Sequence, residues 1–136
     1  MTLFVCIDDR GGMTFNSRRQ SKDEKVIEDV LIHTNGNPLY VTDFSEDLFE
    51  ASSSCVISVP SPLDTSKNGV FVFIENLPIL PHVHKIKSLV IYHWNRAYPY
   101  DTVLDIDPKK QGFKLTRVTE FEGKSHKKIT KEVYER

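Results

Sequence analysis

The sequence predicts one α/β domain over residues 1–136, a mixed, mostly parallel sheet with flanking helices and a C-terminal β-hairpin. Three observations carry that prediction. The runs Leu3–Ile7, Val70–Ile74 and Ser88–Tyr92 are almost wholly apolar, the composition of strands buried on both faces. A helical pattern lies between the first of these runs and the next strand, as a βαβ crossover requires. The last third alternates apolar and polar residues about a Gly-Lys-Ser turn, as a hairpin does.

Leu3–Ile7 reads as a central strand. Ser21-Lys-Asp-Glu24 has the pattern of a capping box, so a helix is expected from there. Val26, Ile27, Val30 and Leu31 share one of its faces, and Asn35-Gly36-Asn37-Pro38 stops it. Leu39–Thr42 is a second strand, and Ser45–Phe49 one capped helical turn. Cys55–Val59 is a third strand, Pro60–Asn68 a loop, and Val70–Ile74 a buried strand. Pro78 and Pro81 exclude a long helix between Glu75 and Lys85. Ser88–Tyr92 runs on towards Trp94, and Val103, Leu104 and Ile106 suggest a short strand. Phe113, Leu115, Val118 and Phe121 keep period two with one slip, which a β-bulge produces. Ile129, Val133 and Tyr134 fit a final strand better than a helix, although both spacings are met.

Composition narrows the function classes. The 136 residues are 39% hydrophobic and 27% charged, and 18 basic against 19 acidic residues leave a net charge of −1. Non-specific nucleic-acid binding needs a basic excess, which is absent. Cys6 and Cys55 lie in apolar runs and read as two reduced core thiols in a cytoplasmic protein. A mid-strand thiol is raised in pKa and inert, so Cys6 is no nucleophile. The opening apolar run is too short for a signal segment or a membrane span.

The element order and several stretches resemble the dihydrofolate reductase family. LFVCIDDRGGMTFN resembles its opening strand and Gly-Met loop. NPLYVTDFSEDLF resembles its second strand and the helix start that follows, and SCVISVP its third strand. LPHVHKIKSLVIYHWNRAYPYDTVLDI is similar to its late strand and Asp-Thr stretch. EFEGKSHKKITKEVYER is similar to its closing hairpin, with Ser-His before the last strand.

The resemblance implies the fold, but departures cover the cofactor side. The family has an Arg and then a hydroxyl residue after its second strand, the Arg holding the 2′-phosphate of NADPH. Here Asp43 takes the Arg position and only the hydroxyl, Ser45, survives. The family's Gly-Gly step near the pyrophosphate is replaced by Glu75-Asn76-Leu77-Pro78. Between Val59 and Val70 the chain is too short for the strand and helix that flank the adenosine. The expectation is therefore no cofactor and no NADPH-dependent reduction of folate. Asp23 stands nearest the acid that grips the pterin, and Arg19 and Gln20 replace the Trp and Pro before it. A pocket there would have a cationic mouth, suited to a small anionic ligand held by Arg10, Arg18 and Arg19. A solvated loop and a helix-dipole role for Asp23 are the plainer readings of the same residues.

Other constellations are weaker. Asp8 and Asp9 close the first strand, where active sites of parallel sheets lie, and could bind a divalent metal or simply cap the Gly11-Gly12 amides. Short chains of this Asp-Asp-Arg-Gly-Gly-Met type resemble proteins labelled ribonuclease Z. That nuclease needs His-x-His-x-Asp-His, whereas His82-Val-His84 is followed by Lys-Ile-Lys, so no metal site is expected. Trp94-Asn95-Arg96-Ala97-Tyr98-Pro99-Tyr100 could stack a ring or close a hydrophobic edge.

The candidate ligand-binding residues are thus Asp8, Asp9, Arg10, Gly12, Asn16, Arg18, Arg19, Asp23, Ser45, Trp94 and Arg96. The leading expectation is a non-reductase binding domain whose small anionic ligand or protein partner contacts residues 8–23. The alternatives are a metal-dependent nuclease or hydrolase using Asp8 and Asp9, and a nucleic-acid-binding accessory protein. No membrane association is expected.

Overall fold

The computed structural model describes residues 1–65 and 67–136, with side chains at all of these except 51–54. Part of the expected Pro60–Asn68 loop, at 66, therefore lies outside the described residues. Seven strands form the main sheet: β1 (Thr2–Ile7), β4 (Leu39–Val41), β5 (Val56–Ser58), β6 (Phe71–Phe73), β7 (Ser88–His93), β9 (Lys114–Phe121) and β10 (Ile129–Glu135). Their order is β5-β4-β6-β1-β7-β10-β9. The pairings from β5 through β7 are parallel, and β10 runs antiparallel to both β7 and β9. The central runs sit mid-sheet because their side chains are apolar on both faces. Leu3, Val5 and Ile7 enter one core with Val72, Leu89 and Ile91. Phe4 enters the other with Phe73, Val90 and Tyr92.

The second core is covered by α1 (Glu24–Thr34), which buries Val26 and Val30 there. Each such side chain contributes about 1.5–3 kcal/mol. The helix begins at Asp23, not at Ser21. Asp23 has extended backbone, and its side chain accepts from the Lys25 amide. The capping-box reading is corrected because the Ser21 hydroxyl faces His126 instead. Asn35 ends the helix in the left-handed region, at φ 49°. The first core has no α-helix over it among the described residues. Short 3-10 turns, Pro62–Asp64 and Leu80–Lys85, cover it with Ile106 and Phe113. Pro78 and Pro81 account for that difference from a helix-flanked sheet.

Asp43–Cys55 is a 3-10 segment, longer than the single turn expected. The slip in the last hairpin is a bulge at Thr116: Arg117 faces Val133, and Leu115 faces Tyr134. β9 is an edge strand beyond the core, so its Leu115 and Val118 are exposed.

The polar stretch that follows β1 is itself ordered. β2 (Gly12–Phe15) and β3 (Arg18–Arg19) form a hairpin, and β8 (Thr102–Val103) pairs with β2 on its other side. Asn16 and Ser17, at φ 50° and 61°, make its two-residue turn. Both central residues at positive φ is the type I′ signature. Among the described residues, no helix is long and apolar enough to cross a membrane.

Candidate functional site

Asp8 organises the start of this region. Its carboxylate is buried and accepts from the amides of Arg10 (2.9 Å), Gly12 (2.7 Å) and Tyr98 (3.0 Å). The Gln20 side-chain amide adds a fourth bond at 3.2 Å. Burial pushes this carboxyl up, but the four donors outweigh it and hold it below its ordinary value. Gly12 is required by space: a Cβ there would lie 2.8 Å from the Tyr100 Cβ and 2.9 Å from Asp8 Oδ1. Asp8 thus ties the loop 96–100 to the β1–β2 turn.

A second cluster forms between β3 and the end of β6. The Arg19 guanidinium meets Glu75 through Nε (2.9 Å) and Nη2 (3.1 Å). It also meets both oxygens of Asp47, at 3.0 and 2.9 Å, and the Phe44 carbonyl at 3.0 Å. Ser45, fully buried, donates to Glu75 Oε2 at 2.6 Å. Burial lowers the Arg19 pKa, yet Glu75 and Asp47 together hold it above its ordinary value. All three guanidinium nitrogens donate to protein acceptors in this planar arrangement.

The third cluster closes the sheet. Asp23 Oδ1 accepts from the amides of Lys25 and Lys124, both at 2.9 Å. Its Oδ2 accepts from the amides of Ser125 (2.9 Å) and His126 (3.2 Å), and from His126 Nδ1 at 2.9 Å. The Ser125 hydroxyl lies 3.1 Å from the same oxygen. Burial raises the Asp23 carboxyl, but the Lys124 amide, His126 and the other donors carry it well below its ordinary value. Gly123 allows the close approach, since a Cβ there would lie 2.5 Å from Asp23 Oδ2. A carboxylate only accepts, so His126 Nδ1 carries a proton, and in the neutral ring Nε2 then presents a lone pair. That lone pair faces Ser21 Oγ at 2.9 Å and Tyr98 Oη at 3.0 Å. Trp94 stacks on the ring, centroids 4.7 Å apart.

Several cavities adjoin these clusters. A cleft of about 750 Å³ runs between α1 and the Asp43–Cys55 segment. Its floor is Ile27, Leu31 and Leu48, and its rim carries Glu24, Glu28, Asp47 and Glu50 against Lys22 and Lys124. A second, of about 560 Å³, opens at the β2–β3 hairpin and is lined by Phe15, Asn16, Arg18, Arg19, Gln20, Tyr98 and Pro99.

No protein-family model matches the chain, and no curated protein matches it in sequence. Solved structures do match, 244 chains in all. One is a dihydrofolate reductase from Enterococcus faecalis, complexed with NADP(H) and RAB-propyl. It shares 11% identity at a TM-score of 0.70, with 99% of this chain and 95% of that one covered. This chain has the dihydrofolate reductase fold.

Within that fold the candidate residues scatter. Asp8, Arg10 and Gly12 belong to the Asp8 turn, where Arg10 donates to the Tyr98 carbonyl and lies over the Tyr100 ring, whereas Asn16 sits in the β2–β3 turn and its amide donates to Asp101. Asp9 is exposed and its side chain does not join Asp8. Arg19 and Ser45 share the Glu75 cluster. Asp23 and Trp94 share the His126 cluster. Arg96 is exposed beside the Tyr98 ring, and the Arg18 side chain makes no ion pair or hydrogen bond among the described residues. No group of three or more His, Cys, Asp or Glu able to hold a metal occurs among the described residues. Glu75, Tyr98 and His126 are absent from the candidates. Glu75 stood out in the sequence only as a carboxylate in place of glycine, and His126 only as half of the Ser-His pair in the closing hairpin.

Proposed function

We propose that this chain is a non-reductase binding domain of the dihydrofolate reductase fold, taking a small anionic ligand at residues 8–23. The observation that carries the reading is the Arg19–Glu75–Ser45 cluster. It ties together the Ser45 hydroxyl and the Glu75 carboxylate, the two positions where the family resemblance implies cofactor contacts. NADP(H), named for the E. faecalis structure, fits these residues poorly: Glu75 and Asp43 are carboxylates at positions where the resemblance implies phosphate contacts, and the Ser45 hydroxyl already donates to Glu75. Asp23, the residue nearest the pterin-gripping acid, has its acceptor positions filled by the closing turn.

What is left for a ligand is the mouth of the β2–β3 hairpin. Arg18 is its uncommitted cation, and Phe15, Tyr98 and Pro99 are its apolar walls. A planar anion such as a nucleotide satisfies both features. The metal-dependent hydrolase alternative draws no support from Asp8, whose oxygens are already met by four donors.

A thermal-shift titration tests the reading. NADPH, NADH and folates should leave the melting temperature unchanged, while nucleotides or simple phosphates raise it and Arg18→Ala removes the rise. A ligand at 100 times its Kd adds about 2.7 kcal/mol, readily seen. A shift with NADPH, or its turnover with dihydrofolate, would overturn the proposal.

A further inference from the structure

The His126 cluster has a geometry that binding does not require. Ser21 Oγ lies 2.9 Å from His126 Nε2, and Asp23 Oδ2 lies 2.9 Å from Nδ1. Ser21 is half-buried, and the Asp23 and His126 side chains are almost completely so. A hydroxyl, an imidazole in the Nδ1–H tautomer and a buried carboxylate in this sequence are the parts of an activated serine nucleophile. The ring cannot swing away, because Trp94 stacks on its face and Asp23 holds its far nitrogen.

We propose that Ser21, His126 and Asp23 form a hydrolytic triad acting on small esters that carry a negative charge. Ser21 and His126 are the catalytic residues, and Asp23 is a positioning residue. The Ser21 oxygen attacks the ester carbonyl carbon while its proton passes to His126 Nε2. The carbon–alkoxy bond then breaks, and the departing alcohol takes that proton. Water attacks the acyl-Ser21 carbonyl in turn, giving its proton to Nε2. The acid leaves, and the serine oxygen recovers the proton. The sum is ester plus water to acid plus alcohol.

Two features set the substrate class. A cavity of about 510 Å³ beside His126 is lined by Trp94, Arg96, Lys127 and Lys128, three of them cations. The Lys22 amide, next along the chain from the nucleophile, makes no hydrogen bond among the described residues. In serine hydrolases the residue after the nucleophile is a common source of an oxyanion donor. The Tyr98 hydroxyl shares the Nε2 lone pair and stands 3.4 Å from Ser21 Oγ.

The proposal is independent of the ligand site at Arg18 and is tested without it. Diisopropyl fluorophosphate is incubated with the intact chain and the product is weighed and mapped. The expected result is one adduct per chain, on Ser21: the serine oxygen bonds to phosphorus, fluoride leaves, and Nε2 takes the proton. Ser21→Ala keeps the Tyr98–His126 bond, so it should melt as the natural chain does and take no adduct. Ser21→Cys should react with iodoacetamide at neutral pH far faster than Cys6, whose thiol is pushed up by burial. General-base help of about 100-fold or more separates the two thiols. Failure to label the folded protein, an adduct that persists in Ser21→Ala, or equal reactivity of the two thiols would each overturn the assignment.

Discussion

The Asp23 and Glu75 clusters are both built on a buried carboxylate, and they are met in opposite ways. Asp23 is held mainly by backbone amides of one turn, with partners more than a hundred residues away. Glu75 is held by two side chains, those of Arg19 and Ser45. Backbone donors do not change with sequence, so the first cluster depends on the conformation of residues 123–126 and on the glycine that permits it. The second depends on residue type at three positions. Mutation should therefore break the two clusters differently.

The largest effect is expected at Asp23. Asp23→Ala leaves buried amides and His126 without an acceptor and should cost about 3–5 kcal/mol in chemical denaturation. Hydrogen exchange should show the Lys124, Ser125 and His126 amides losing protection together. The same carboxylate sets the acid limit. Its folded pKa lies below the ordinary 3.8, so its contribution is complete above about pH 4 and is lost as pH falls through the folded value. Asp8 acts in the same direction. An acid titration of stability should be shallower in Asp23→Asn than in the natural chain.

Arg19→Met comes next, at about 2–3 kcal/mol, because Glu75 is left buried without its cation while Arg19 itself is partly solvated. Adding Glu75→Gln removes the orphan charge and keeps an acceptor for Ser45. The double variant should recover to within about 1 kcal/mol of the natural chain. No such rescue should exist for Asp23, where the donors are backbone.

Gly12→Ala should cost about 1–3 kcal/mol, since the added carbon overlaps the Tyr100 Cβ and Asp8. The smallest effect is expected at Asp47, whose side chain is 57% exposed. Asp47→Ala should cost less than about 1 kcal/mol despite its two bonds to Arg19. A cost above 2 kcal/mol would show that the Arg19 cluster is drier than its exposure indicates.

The sheet was legible because its strands are apolar runs. β1, β6 and β7 lie where Leu3–Ile7, Val70–Ile74 and Ser88–Tyr92 predict them, and the β9 bulge falls in the stretch whose period slips. The start of α1 was misread because Ser21 and Asp23 are both good caps locally. The choice between them is made by His126, far away in the chain, which takes the serine. The β2–β3 hairpin was missed because its turn is Asn-Ser and not the commoner Asn-Gly, and its strands are short and polar. The clusters at Asp23 and Glu75 were illegible for a related reason. Each joins elements distant in the chain, and nothing in local propensity records which carboxylate meets which donor.

β10 lies between β7 and β9 and supplies Ile129 and Val133 to the core, while the turn before it satisfies Asp23. On the ribosome this has a consequence for order of assembly. A nascent chain that has not yet delivered residues 123–135 has a sheet ending at an open β7 edge and a helix start whose acid has lost most of its partners. Helix α1 is made early but is locked last. The unfinished chain therefore exposes an apolar strand edge to its surroundings, and a chaperone that recognises extended hydrophobic segments would meet it at β7.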